Sequence, residues 1–110
     1  MKLVKSIVRP NKVDEVREAL EKLSISGMTV SDVRGHGRQK GQTAVYRGKE
    51  YSVTLLPKVE IELVVPDTVV DEVIKTIIAA ARTGEIGDGR VFVLPVDYGY
   101  NIRTGERDMT

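Results

Sequence analysis

Between an apolar stretch of helical spacing and a β-rich stretch stands Thr83-Gly84-Glu85-Ile86-Gly87-Asp88-Gly89-Arg90. Glycine lets successive amides turn inward with no Cβ in the way. The guanidinium that follows is a charge that does not titrate off, so this is a place where a backbone can approach a phosphate. The same Gly-Asp-Gly also makes an ordinary turn before a strand. Two further stretches carry chemistry: Gly35-His36-Gly37-Arg38-Gln39-Lys40-Gly41 and Tyr46-Arg47-Gly48-Lys49-Glu50-Tyr51. An aromatic beside arginine and lysine on a connecting segment is what an interface anchor needs; a hairpin extension with solvated charges reads the same way. His36 is the sole histidine, and no chemistry is assigned to it. The chain offers no Ser-His-Asp set, no His/carboxylate cluster at metal spacing and no Walker lysine-serine pair, so it reads as a non-enzyme.

A strand-then-helix unit occurs twice and must position these residues. Leu3 to Val8 is β-rich, and Pro10-Asn11 then opens a helix with Val13, Val16, Leu20 and Leu23 at helical spacing. Val59, Ile61, Leu63 and Val65 alternate with charged neighbours as in a strand with one apolar face, and Pro66-Asp67 opens a second helix bearing Val69, Val70, Val73, Ile74, Ile77 and Ile78. Both helices contain Val-Asp-Glu-Val, at Val13 to Val16 and at Val70 to Val73. With Met28 to Arg34 and Val91 to Val96 as further strands, the order β-α-β-β-α-β is an α+β, ferredoxin-like arrangement with both helices on one face of an antiparallel sheet. The connection between the two middle strands, Gly35 to Leu55, spends about twenty residues where a hairpin spends two to five.

Composition narrows the classes. A chain of 110 residues has room for one domain, 1–110, and oligomerisation is a route to bury more surface. Its 17 Lys and Arg nearly balance 16 Asp and Glu, so no global field recruits nucleic acid or an acidic membrane, and any basic site is local. A nucleic-acid-binding ferredoxin-like domain needs stacking aromatics on its central strands, whereas Phe92 is the sole phenylalanine and the four tyrosines fall in the long loop and the tail. The absence of cysteine removes thiol chemistry and suits a reducing cytoplasm. No stretch approaches a membrane span, so the expectation is a cytoplasmic protein that is not inserted in a membrane.

The chain resembles the PII nitrogen-regulatory signalling proteins over nearly its whole length. The matching segments are Gly27-Met28-Thr29-Val30, Gly37-Arg38-Gln39-Lys40-Gly41, Tyr46-Arg47-Gly48 with Glu50-Tyr51, Leu56-Pro57-Lys58-Val59, Thr83-Gly84 with Gly87-Asp88-Gly89-Arg90, and Ile102-Arg103-Thr104-Gly105-Glu106, in order and at compatible spacing. The resemblance implies a homotrimer with ATP or ADP in each of three clefts between neighbours, and 2-oxoglutarate bound beside ATP through Mg2+. It implies a long effector and partner loop at about 37–55, a phosphate loop at about 82–90 and a C-terminal tail at about 96–110. It further implies that the loop controls an ammonium transporter, which recruits the protein to the membrane, or glutamine synthetase, nitrogenase and other nitrogen-metabolism proteins. A trimeric metal-tolerance protein of similar fold is an alternative that explains the architecture but not the set Arg38, Gln39, Lys58 and Arg103.

By the same resemblance Ile7, Gly35, Gly37, Arg38, Gln39 and Lys58 lie along the nucleotide, and Gly87, Asp88, Gly89 and Arg90 close over its phosphates. The neighbouring subunit is expected to bring Gly27, Met28, Thr29 and Glu62 to the base and sugar and Arg103 to the phosphates, and Val64 is also expected at the nucleotide. Gln39, Lys40, Gly41 and Lys58 are expected to hold 2-oxoglutarate, with the Lys58 ammonium on its distal carboxylate and the Gln39 side-chain oxygen on Mg2+. Arg47, Lys49 and Tyr51 form the partner surface, and Tyr51 matches the tyrosine that some bacteria uridylylate or adenylylate. Three positions depart from the family pattern: His36 stands where an aromatic is common, Asn101 where an arginine is common, and Lys49 where cyanobacterial relatives have a phosphorylatable serine. Asn101 keeps hydrogen bonding and loses the charge, which changes phosphate affinity or ATP/ADP preference.

Overall fold

A computed structural model of the chain describes residues 1–25, 27–36, 43–46, 49–52 and 55–108; of 43–46 and 49–52 it describes the strand pairing alone. Six strands and two helices follow in the order β1 (Lys2–Val8), α1 (Val13–Lys22), β2 (Thr29–Gly35), β3 (Thr43–Tyr46), β4 (Lys49–Ser52), β5 (Leu56–Val65), α2 (Val70–Ala81) and β6 (Gly89–Pro95). Four strands form one antiparallel sheet in the order β2-β5-β1-β6, the arrangement expected of a ferredoxin-like βαββαβ chain.

Each helix is entered through one tighter turn, Pro10–Lys12 before α1 and Asp67–Val69 before α2. Pro10 fits the first of these turns because its missing N–H would have no helical partner there, and Pro66 stands just before the second. The two Val-Asp-Glu-Val segments occupy the same place, the first turn of each α-helix, where Asp14, Glu15, Asp71 and Glu72 meet the positive end of the helix dipole. Beyond them Val16 and Leu20 of α1 and Val73, Ile77 and Ala81 of α2 are buried, and they form one core with Val4, Val8, Val59, Ile61, Leu63 and Val65. These sheet residues lie on one face, as the period of two requires. Ser6 is the polar member of that face; fully buried, its hydroxyl donates to the Ile61 carbonyl.

Helix positions follow the sequence pattern, while strand bounds move. Strand β5 takes in Leu56, Pro57 and Lys58 ahead of the alternating run from Val59, because Gly35, Arg34 and Val33 of β2 pair with them and carry the ladder three residues further. The connection between β2 and β5 is not without pairing: β3 and β4 make a separate two-stranded sheet inside it, with Ala44 opposite Tyr51 and Tyr46 opposite Lys49. The alternation in 43–52 is too short to separate from a charged loop by pattern alone.

Among the described residues no helix lies on the opposite face of the four-stranded sheet. The register sets Leu94, Leu3 and Val64 in one row across it, Phe92, Lys5, Glu62 and Thr29 in the next, and Arg90, Ile7, Glu60 and Ser31 in a third. Val64, Phe92 and Leu94 are all exposed there. No helix among the described residues is long and apolar enough to cross a membrane.

Candidate functional site

One end of this uncovered face becomes a cleft. A cavity of about 830 Å³ lies between Ile7 of β1, Gly35 and His36 at the end of β2, Lys58 of β5, the Glu85 to Gly89 loop, and Arg90 and Phe92 of β6. The strand pairing makes this juxtaposition unavoidable: Val8 is opposite Gly89 and Ile7 opposite Arg90, so the glycine-rich loop 83–89 enters the sheet beside the end of β1. Gly89 is required for that entry. Its φ is +106°, and a Cβ would overlap the Ile7 carbonyl oxygen. Glycine is needed here for the chain's own backbone as much as for any ligand.

Asp88 organises the loop. Its carboxylate accepts the Thr83 hydroxyl, the Thr83 and Gly84 backbone N–H groups, each at 2.9 Å, and Arg9 Nε at 3.0 Å. The Thr83 hydroxyl, the Thr83 N–H, the Arg9 guanidinium and the Gly84 N–H together hold the Asp88 carboxyl well below the usual carboxylate range, against the opposing effect of burial. Arg9 also donates to the Ile86 carbonyl at 3.1 Å, so a residue at the end of β1 fixes a loop 77 positions away. Thr83 Oγ1 accepts from the Glu85 N–H at 3.1 Å and closes the turn.

Lys58 is buried, 9% exposed, and its ammonium donates to the Gly87 carbonyl at 2.6 Å. It is therefore not a solvated strand lysine. Burial pushes its ammonium down from the ordinary lysine value, the Arg9 guanidinium adds to that, and the Asp88 carboxylate opposes it. A cation in that state gains from an anion brought next to it, because the anion supplies charge compensation that a neutral carbonyl supplies only in part.

Of the expected nucleotide residues, the structure brings Ile7, Gly35, Lys58, Gly87, Asp88, Gly89 and Arg90 onto one cleft. It does not bring Gly27, Met28, Thr29, Glu62, Val64 or Arg103 there. Thr29 pairs with Glu62 four residues along β5 from Lys58, about 14 Å at strand rise. Val64 is further along, opposite Leu3. Lys5 Nζ lies 3.1 Å from Glu60 and 3.7 Å from Glu62, and the neighbouring Glu60 carboxylate raises the Glu62 carboxyl above its ordinary value. Met28 is partly buried against the core. Gly37, Arg38, Gln39, Lys40, Gly41 and Arg47 lie outside the described residues, as do the side chains of Lys49 and Tyr51.

Arg103 is exposed in a tail with its own fold. Asn101 N–H donates to the Glu106 carbonyl at 2.8 Å, Gly105 N–H to the Asn101 carbonyl at 2.7 Å and Asp108 N–H to the Gly99 carbonyl at 2.8 Å. The Asn101 side-chain oxygen accepts the Thr104 N–H at 3.1 Å, so the amide that stands in place of a charge shapes the turn carrying Arg103. The Arg107 guanidinium lies 4.4 Å from the Tyr98 ring centre, and Tyr98 meets Tyr100 edge-on.

Sequence reasoning missed Arg9 as a part of the site, named Thr83 only as a member of the glycine-rich run, and left His36 without a place in it. The spacing Thr83 to Asp88 in a glycine-rich segment is a signal for a side-chain-closed turn. Nothing local marks Arg9, whose partners are distant in sequence.

A helix-backed antiparallel sheet whose uncovered face ends in a glycine loop, with Lys58 and Arg90 on the wall of one cleft, defines a ferredoxin-like α+β protein. The family model "Nitrogen regulatory protein P-II" matches residues 1–106. The chain is 53% identical over 108 residues, 98% of its length and 96% of the relative's, to a nitrogen regulatory protein P-II of Rhizobium etli. It is 56% identical, with the same coverage, to nitrogen regulatory protein P-II 1 of Escherichia coli K12 and of Salmonella typhimurium. The chain belongs to the P-II family of nitrogen regulatory proteins. Among the ferredoxin-like readings open from the motifs, membership favours the regulatory one over the metal-tolerance and nucleic-acid ones.

Proposed function

We propose that this protein is a cytoplasmic, non-enzymatic signal transducer that binds ATP or ADP, binds 2-oxoglutarate when Mg-ATP is present, and reports through residues 37–55. Its targets are an ammonium transporter, which recruits it to the membrane, or nitrogen-metabolism enzymes such as glutamine synthetase and nitrogenase. The observation that carries the reading is the division of the expected nucleotide residues into two groups. One group shares the cleft, and the other, Thr29, Glu62 and Val64, lies along the uncovered face at the far end of β5. A homotrimer accounts for both. Packing uncovered faces against one another buries Val64, Phe92 and Leu94 and lets one subunit's far end meet the next subunit's cleft.

Within the cleft the Gly87 to Arg90 backbone and the Arg90 guanidinium meet the phosphates, and Lys58 leaves the Gly87 carbonyl for the distal carboxylate of 2-oxoglutarate. Among the described residues no three acidic, histidine or cysteine side chains gather to hold a metal ion. When bound, Mg2+ would be held by the Gln39 side-chain oxygen together with oxygens of the ligands, and would supply charge compensation between phosphate and keto acid. The loop at 37–55 carries effector contacts at its base and Arg47, Lys49 and Tyr51 at its tip, so effector binding selects among its conformations and partners read the selection.

Calorimetry tests this directly. The expected result is 2-oxoglutarate binding in the presence of Mg-ATP and none to the free protein or the ADP form. Equal binding in all three would sink the coupling. In the same experiment Lys58→Met should weaken 2-oxoglutarate by roughly 1.5–3 kcal/mol with the fold intact, and unchanged affinity would remove Lys58 from the effector site.

A further inference from the structure

His36 lies on the wall of the cleft together with Lys58, Gly87 and Arg90. It follows β2 directly, and Gly35, which precedes it, packs so close to the Lys58 side chain that an added Cβ would stand 3.2 Å from Lys58 Cγ. The backbone that presents the imidazole is thus held against the lysine that is turned into the cleft. An aromatic hydrocarbon at this place would wall the cavity without charge. An imidazole walls it and can also carry a proton.

We propose that His36 makes anion binding in this cleft proton-dependent, its imidazolium acting as a third cation beside Lys58 and Arg90. The proposal rests on the reading of the cleft as a nucleotide site. The charged groups that share the wall are Lys58 of β5, Glu85 and Asp88 of the loop and Arg90 of β6. Asp88 is saturated by Thr83, Gly84 and Arg9, and Lys58 is directed at the Gly87 carbonyl. Glu85 is the one lining carboxylate, apart from Asp88, that could offset an imidazolium among the described residues.

The sign follows from linkage. An anion held near an imidazole favours the protonated ring, so binding takes up a proton, and affinity is highest below the free imidazole's titration midpoint and declines as pH rises through the bound one. Histidine is the side chain whose unperturbed charge change falls between pH 5 and 8. A shift of one pH unit on binding corresponds to a tenfold change in affinity between the two limits.

The probe is ATP saturated with magnesium, because a free terminal phosphate itself titrates near pH 6 and would imitate the effect. Since the chain contains one histidine, its imidazole proton resonance needs no assignment. The expected result is an upward move of that resonance's titration midpoint on adding Mg-ATP, with binding about 3–10-fold tighter at pH 5.5 than at pH 8. His36→Gln should lose the pH dependence, and His36→Arg should keep the tighter affinity at both pH values. Binding with an unmoved imidazole midpoint, or the same pH dependence in His36→Gln, overturns this inference alone. No Mg-ATP binding at either pH overturns the nucleotide reading and this inference with it.

Discussion

The phosphate loop and the C-terminal tail both carry residues expected at a nucleotide, and they are held in opposite ways. The loop from Thr83 to Gly89 is fastened to the sheet by groups far away in sequence: Arg9 on Asp88 and Ile86, Lys58 on Gly87, and Gly89 against the Ile7 carbonyl. The tail is fastened to itself. Val96 N–H still donates to the Met1 carbonyl, but among the described residues the hydrogen bonds beyond it close within 99–108. A loop tied to the core is pre-organised at the core's expense, whereas a self-folded tail has a shape without a seat. The proposed two-subunit site requires such a difference: a finished half-cleft on one chain and a preshaped arm on its neighbour.

The largest effect expected from breaking this contrast comes at two glycines. Gly89→Ala should cost about 3 kcal/mol or more, because the new methyl overlaps backbone and the positive φ disfavours any side chain. Gly105 also has a positive φ, +71°, but an added Cβ there meets nothing within 4 Å, and the turn it belongs to is not part of the core. Gly105→Ala should leave the thermal midpoint of unfolding nearly unchanged. Equal losses for both variants would mean that the tail is as integral to the fold as the loop.

Why the loop was legible in the sequence and its fastening was not follows from the range of the forces involved. Gly87, Gly89 and Arg90 announce themselves because backbone geometry and charge are properties of adjacent residues. The helices and the apolar face of β5 were legible for the same reason, since periodicity is local. Arg9 is different: its meaning depends on β1 and β6 pairing in a register that sets Val8 against Gly89, which no window of sequence contains. His36 is a further case, because only the sheet order brings the end of β2 to the same cavity as β6. The β3–β4 pairing escaped because strands of four residues are too short to carry a periodic signal.

Asp88→Asn gives an intermediate effect and a pH signature. The amide keeps the shape but not the charge-assisted bonds from Arg9, Thr83 and Gly84, so a loss on the order of 1–3 kcal/mol is expected at neutral pH. Because the carboxyl is depressed in the folded protein, the stability that Asp88 contributes is fully present above the ordinary aspartate value near 3.9 and is lost as pH falls through the folded value. Denaturant titrations between about pH 6 and pH 2 should therefore show wild type and Asp88→Asn converging as the solution becomes more acid. Parallel curves across that range would mean that the carboxylate's bonds to the loop contribute no net stability, and the contrast with the tail would lose its energetic basis.

The smallest effect belongs to the tail and tests its independence. Arg107→Gln removes the guanidinium from the Tyr98 ring while leaving Tyr100 paired with residue 107 through the backbone bridge. An exposed cation–π contact is worth about 0.5–1 kcal/mol, and here that energy orders a segment whose unfolding need not open the core. The thermal midpoint should stay where it is, while amide exchange over residues 99–108 should quicken several-fold. If neighbours bring the tail to the cleft, Mg-ATP should slow that exchange again in both proteins, because the bound phosphates give Arg103 a seat. Exchange in the tail that is indifferent to Mg-ATP would confine the nucleotide to the half-cleft of a single chain, and the tail's turn, held by Asn101 and Gly105, would then have no part in binding.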